Sequence, residues 1–145
     1  MAPLKRDVIV APIDFSPATD RILDAALDLA GGDHNRIRTL HVLPPLDTLA
    51  PGVAWGAPFP DTREEGVRNH GRTVLRDKRL TDVRFDVRLG HPAHEIIEFA
   101  KAEKADLIVI ASHGYSGIKR FLLGSVAEMI LRHAPCPVLV LRRAE

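Results

Sequence analysis

The chain has 145 residues, which suits one domain and is too short for two ordinary ones. With 46% hydrophobic and 27% charged residues, it has the composition of a folded globular protein, not of a disordered, collagenous or coiled-coil chain. Lys plus Arg number 20 and Asp plus Glu 19, a net charge of +1, and aromatics are 5%; this balance argues against a nucleic-acid surface of either the basic or the base-stacking kind. The single cysteine, Cys136, excludes an intrachain disulfide and a cysteine-based zinc site. The apolar run near the start, residues 8–13, is too short for a secretory core or a membrane span. A reducing cytoplasm is the expected address.

In chain order, residues 8–13 (Val-Ile-Val-Ala-Pro-Ile) read as a first strand, apolar throughout as a strand covered on both faces should be. Ser16-Pro17 opens a helix, with Ser as N-cap and Pro at the first helical position. Ile22, Ala26 and Leu29, beside Leu23, Leu27 and Ala30, then repeat at helical spacing until Gly31-Gly32 ends the run. Residues 37–43 form a second strand, alternating apolar with polar. Residues 44–60 hold five of the eleven prolines plus Trp55 and read as a long loop or lid. A polar, weakly periodic helix is expected over about residues 61–79. A third strand follows at residues 84–89, then a helix from Pro92 that buries Ala93, Ile96, Ile97 and Ala100. Residues 107–111 are a fourth, fully apolar strand. A glycine-bearing segment, 112–123, leads to a fourth helix from Ser125, where Ser125-Val-Ala-Glu128 matches a reciprocal capping box. Residues 138–141 close the chain's strands. Strands alternating with helices imply a parallel sheet with helices on both faces.

In such sheets ligands bind beyond the carboxyl ends of the strands. That rule selects residues 12–16, 42–45 and 111–125. The last contains Ala111-Ser-His-Gly114, then Gly124-Ser125 at the start of a helix. Glycine lets backbone amides approach a phosphate, and a helix N-terminus favours an anion. Neither a Walker P-loop nor a G-x-G-x-x-G follows any strand.

These segments resemble the universal stress protein (UspA-like) family. The likeness includes Pro12-Ile-Asp14-Phe-Ser16, His41-Val42, Gly90-His-Pro92, residues 105–110, and the stretch 111–141. The ATP-binding branch carries G-x2-G-x9-G-(S/T), and this chain keeps the spacing through Gly114 and Gly124-Ser125, with Ala111 in place of the first glycine. If that position needs φ > 0, alanine costs about 1–2 kcal/mol there; if it only makes room, a methyl is tolerated.

The resemblance implies one α/β domain over 1–145, adenine nucleotide alpha hydrolase-like with flavodoxin-like layering and strand order 3-2-1-4-5. It implies a cytoplasmic stress-response protein that binds ATP, ADP or AMP, with or without Mg2+. Pro12, Ile13, Asp14 and Val42 would frame base and ribose, Val42 through its backbone. Asp14 would face the ribose or a magnesium-bound phosphate. Ile110, Ala111 and His113 would line the site, and Gly114, Gly124, Ser125 and Val126 would hold phosphates. Val138, Leu139, Val140 and Leu141 would form a homodimer edge. A regulatory protein partner fits this reading, whereas nucleic acid and membrane do not.

Each reading has a structural rival. Ser125 with Glu128 also fits a cap alone, and Asp14 a residue that only prepares the Ser16 turn. His113 also fits packing within its loop, and no nucleophile–base–acid set stands at recognisable spacing, so at most slow hydrolysis is expected. His91 and His94 lack a third metal ligand. Lys119 and Arg120 suit a solvated loop, Cys136 a buried inert thiol, and Trp55 a lid or a loop anchor. The functional alternatives are a dimeric interaction module without nucleotide and, less well supported, a flavin carrier or enzyme.

Overall fold

The computed structural model describes residues 4–45, 63–112 and 123–142. The elements are β1 (Ile9–Pro12), α1 (Ala18–Leu29), a short 3-10 turn (His34–Arg36), β2 (Ile37–Leu43), α2 (Arg63–Asp77), β3 (Arg84–Leu89), α3 (Pro92–Ala102), β4 (Leu107–Ala111), α4 (Ser125–His133) and β5 (Val138–Leu141). All five strands are parallel in the order β3-β2-β1-β4-β5. The expected order is therefore the observed one, and the winding reverses between β1 and β4.

Alternation along β1 explains its unbroken apolar run. Ile9 and Ala11 join the core beneath α1 and α2, with Ile22, Leu23, Ala26 and Leu75. Val10 points the other way, into a second core with Ile96, Phe99 and Ala100 of α3 and Ile130 of α4. Both faces of the central strands are thus dry, and Ile9, Val10, Ile108 and Val109 are fully buried. Each such side chain stabilises the fold by about 1.5–3 kcal/mol. β3 is the wet edge, with no buried residue. β2 alternates in sequence yet lies inside the sheet; only Arg38 and His41 of its residues are half-exposed.

Several helix ends differ from the sequence expectation. β1 is shorter than 8–13, because Val8 and Ile13 lie outside its ladder. Ser16 sits one residue ahead of the N-cap Pro17, but its Oγ still accepts from the Ala18 N–H at 3.2 Å. α1 does end at the glycine pair: Gly31 and Gly32 take φ of 63° and 80°, and their N–H groups bond the Asp28 and Leu27 carbonyls. α2 stops at Asp77, and the chain turns through Arg79 at φ 60°. The expected capping box on α4 does not form. Gly124 is the N-cap, no side chain caps it, and Glu128 Oε1 instead accepts from Arg132 at 2.8 Å.

α2 reaches the sheet through a glycine. A Cβ on Gly71 would collide with the Phe85 ring of β3, coming within 2.8 Å of its Cδ1 and closer to two other ring atoms. On the opposite face, Arg84 and Arg88 extend over the buried Phe99 ring at 5.9 and 5.2 Å from its centroid. Arg84 also pairs with Glu103 of the α3 C-cap at 2.9 Å.

Candidate functional site

At the carboxyl ends of the strands, where the winding reverses, a cleft of about 280 Å3 opens. Its walls bring together Pro12, Ile13 and Asp14 after β1, Val42 of β2, Ile110 and Ala111 of β4, and Gly124, Ser125 and Val126 at the start of α4. Every described candidate for nucleotide contact therefore lines one cavity. His113 and Gly114 lie outside the described residues, as do Trp55, Lys119 and Arg120. A larger groove of about 590 Å3 lies elsewhere, between α2 and β3, and holds none of the candidates.

The end of β1 makes a tight, strained turn. Asp14 Oδ1 accepts from the Ser16 N–H at 2.9 Å, while its other oxygen takes no hydrogen bond from the described residues. Between them Phe15 sits at φ 62°, a left-handed conformation that is uncommon for an aromatic residue. Its ring lies between the rings of His41 and His70, at centroid distances of 4.8 and 4.5 Å. His41 Nδ1 lies 2.7 Å from the Ile13 carbonyl oxygen. A carbonyl can only accept, so Nδ1 carries the proton and donates. Sequence reading noted His41 only as part of the strand's end; the structure makes it a cleft-lining group that ties β2 to the turn carrying Asp14.

Val42 offers its backbone. The Ile13 N–H bonds the Leu40 carbonyl, and the Gly90 N–H bonds the Leu43 carbonyl. Alternation along a parallel strand then turns the N–H and C=O of Val42 toward the β1 side, past the point where β1 has ended.

At α4 the amides divide. The Gly124 N–H donates to the Ser112 carbonyl at 2.8 Å, so it is engaged and does not point at a ligand. The Ser125 and Val126 N–H groups belong to the first turn and take no partner among the described residues. They are the amides free for an anion, and the helix dipole adds to their pull. Of the expected phosphate-holding backbone, Ser125 and Val126 are open and Gly124 is not.

Ala111 is the last residue of β4, paired in register with Leu141. It is not among the residues with positive φ. Of the two readings of this position, the strained one fails: alanine sits in ordinary extended backbone at the cleft, packed against the core beneath α1 and α2. Among the described residues, no group of three or more His, Cys, Asp or Glu side chains could hold a metal ion. No helix among the described residues is long and apolar enough to cross a membrane.

A model of the universal stress protein family matches residues 5–142. The chain belongs to the universal stress protein family. Universal stress protein MJ0531 of Methanocaldococcus jannaschii is 32% identical to it over 143 residues, covering 93% of this chain and 81% of that protein. Among solved structures, MJ0577 superposes with a TM-score of 0.78 at 28% identity, covering 97% of this chain and 98% of that one. A universal stress protein solved in complex with cAMP has a TM-score of 0.63 at 22% identity, covering 94% and 96%, which is a likeness of fold. For this universal stress protein the likenesses span the whole described fold, including both halves of the cleft.

Proposed function

We propose that this universal stress protein binds an adenine nucleotide (ATP, ADP or AMP, with or without Mg2+) in the cleft at the carboxyl ends of β1, β2 and β4, and that it acts as a nucleotide-responsive homodimer in a stress response. The observation that carries the reading is the convergence on one cavity of polar groups with no partner among the described residues. The backbone of Val42 lies at one end, the Ser125 and Val126 amides at the other, and between them in the chain's winding the Asp14 carboxylate, whose second oxygen takes no bond from the described residues. In this reading the Val42 N–H and C=O meet the adenine edge. The two amides and the Ser125 hydroxyl hold phosphate, as backbone donors at a helix start are suited to do. Asp14 meets the ribose or a magnesium-bound phosphate. Pro12, Ile13, Ile110 and Ala111 supply apolar wall. The cAMP complex of the structural relative supplies the ligand class to test. No described group is arranged to activate water, so hydrolysis is at most slow.

The proposed dimer uses β5. The Ile108 N–H bonds the Pro137 carbonyl, and the Ser112 N–H bonds that of Leu141. Residues 137, 139 and 141 therefore face β4, and the backbones of Val138 and Val140 face outward, free to pair with a second copy.

The test is isothermal titration of nucleotide-stripped protein with ATP, with and without Mg2+, on the native chain and on Ser125→Pro. Gly124 has φ −63° and ψ 154°, the conformation a residue before proline favours, and proline is at home in the first helical position. The substitution thus removes one amide and the hydroxyl without unfolding α4. Losing a hydrogen bond to a charged phosphate costs about 1.5–3 kcal/mol, about 10- to 150-fold in affinity. Micromolar binding that Ser125→Pro leaves unchanged rejects the assignment of the site. No binding at millimolar ATP rejects nucleotide binding and leaves a dimeric interaction module.

A further inference from the structure

The groove between α2 and β3 is larger than the cleft and belongs to a different edge of the molecule. Its floor is Leu75, Val83 and Phe85, and its rim includes Arg72, Thr73 and Arg76 of α2. Positions 69, 72, 73 and 76 share one helix face. The other face of α2 is committed elsewhere: His70 to Phe15, and Val74 and Leu75 to the core. Just past the helix end, Lys78 pairs with Asp20 and Asp24 of α1. The groove therefore opens at the outer side of the sheet.

β3 is the sheet edge there. The Gly90 N–H bonds the Leu43 carbonyl, so Gly90, Arg88, Asp86 and Arg84 turn their backbones toward β2. The backbones of Phe85, Val87 and Leu89 then point outward. Edge strands are commonly guarded by charged side chains. Here the charges are turned aside: Arg84 pairs with Asp86 and Glu103, and Arg88 with Glu95, on the α3 face. On the groove face, Arg72 has no acidic partner among the described residues, and Arg76 has only its exposed neighbour Asp77 at 3.7 Å. Among the described residues, a strand edge that no other segment pairs with thus runs beside a groove rimmed by two arginines.

We propose that β3 accepts an extended acidic segment of a partner protein as a sixth strand. The outward N–H and C=O groups of Phe85 and Val87 pair with its backbone, and its acidic side chains on the groove face meet Arg72 and Arg76. Strand addition of this kind draws affinity from main-chain hydrogen bonds and specificity from alternate side chains. Charge selects the partner: the rim is basic, so a segment with Glu or Asp at every second position fits and one with Lys does not.

The probe is a fluorescein-labelled peptide of alternating Glu and Val, about eight residues long, the length of an ordinary strand. Anisotropy is read against the full chain, beside a Lys/Val peptide and a Glu/Val peptide N-methylated at every residue, which leaves neither strand edge a donor. The Glu/Val peptide is expected to bind, the Lys/Val peptide not, and the N-methylated form about tenfold or more weaker. Arg72→Glu with Arg76→Glu, both on the exposed helix surface, is expected to reverse the preference between the two charged peptides. Equal binding of the N-methylated peptide overturns strand pairing, because that probe leaves the protein untouched. Unchanged affinity in the charge-reversed variant, or no binding of Glu/Val, overturns the partner's chemistry. Displacement of the peptide by the protein's own self-association assigns the edge to a second copy and overturns the proposal.

Discussion

Two glycines in the same helix make opposite predictions under the same substitution. Gly66 and Gly71 both lie in α2. Nothing stands within 4 Å of a Cβ built on Gly66, whereas a Cβ on Gly71 meets the Phe85 ring at under 3 Å. In a helix, Gly→Ala stabilises by about 0.5–1 kcal/mol, because the unfolded chain loses freedom. Gly66→Ala keeps that gain. Gly71→Ala has the same gain and adds an overpacking penalty of about 1–3 kcal/mol, since a half-buried ring wedged against core side chains cannot swing clear. The gap between the two variants is the clash alone, about 1–3 kcal/mol. At about 3 °C per kcal/mol for a chain of this size, it corresponds to about 3–9 °C in melting temperature. Thermal unfolding of both variants, with urea titration as a check, reads it directly. A double-mutant cycle with Phe85→Leu should recover most of the penalty, because the shorter side chain vacates the contested space. A Gly71→Ala protein as stable as Gly66→Ala refutes the close approach of α2 to β3, and with it the shape of the groove beside them.

The remaining expectations rest on other parts of the molecule. The Lys78 ammonium is raised above its ordinary 10.5, first by its hydrogen bond to Asp24, against which burial works, and then by the charge of Asp20. A raised base contributes its full stability below its unfolded pKa and loses it as pH climbs through the folded one. The urea midpoint of the native chain should therefore fall more between about pH 9 and pH 12 than that of Lys78→Met; equal slopes reject the contribution. If the proposed dimer forms through β5, Val140→Pro deletes an outward N–H that no bond among the described residues uses, so light scattering should report a monomer with native circular dichroism; a persisting dimer places the interface elsewhere. Phe99→Ala empties a fully buried site in the core between the sheet and α3 and should destabilise by about 3–5 kcal/mol in urea unfolding; a cost under about 1 kcal/mol rejects that packing.

What could be read from the sequence follows the range of the forces involved. The unbroken apolar runs of β1 and β4 report a two-faced burial that local composition encodes, and the structure buries Ile9, Val10, Ile108 and Val109 completely. Gly31-Gly32 ends α1 through φ values that only glycine adopts cheaply. The Ser125-x-x-Glu128 pattern misled because the cap of α4 is set by tertiary contact: the Ser112 carbonyl, across the loop, takes the Gly124 N–H, and Glu128 turns to Arg132. The approach of Gly71 to Phe85 was not legible either. It depends on which strand α2 covers, and that is a property of topology. The carboxyl-end rule pointed to residues 12–16, 42–45 and 111–125, and the family resemblance named single residues in and beside them; the described ones line one cleft. His41 escaped as a site residue because its bond to the Ile13 carbonyl depends on the register between β1 and β2.

The turn after β1 links the strain in this fold to its candidate site. Phe15 at φ 62° costs about 1–2 kcal/mol relative to ordinary backbone, and a glycine in its place would avoid that cost. What holds the strained form is visible around it: tilted ring contacts with His41 and His70, contact with the core beneath α1, the Asp14–Ser16 bond and the His41–Ile13 bond. A turn fixed from four directions has a single shape. That shape presents Asp14 to the cleft with one oxygen bound to its own turn and the other without a partner among the described residues. Had Asp14 served only to prepare α1, a relaxed Asx turn would have sufficed, since the Ser16 hydroxyl already accepts from Ala18. Strain retained beside a cavity, and braced by two histidines from different elements, argues that the direction of Asp14 is what the turn preserves.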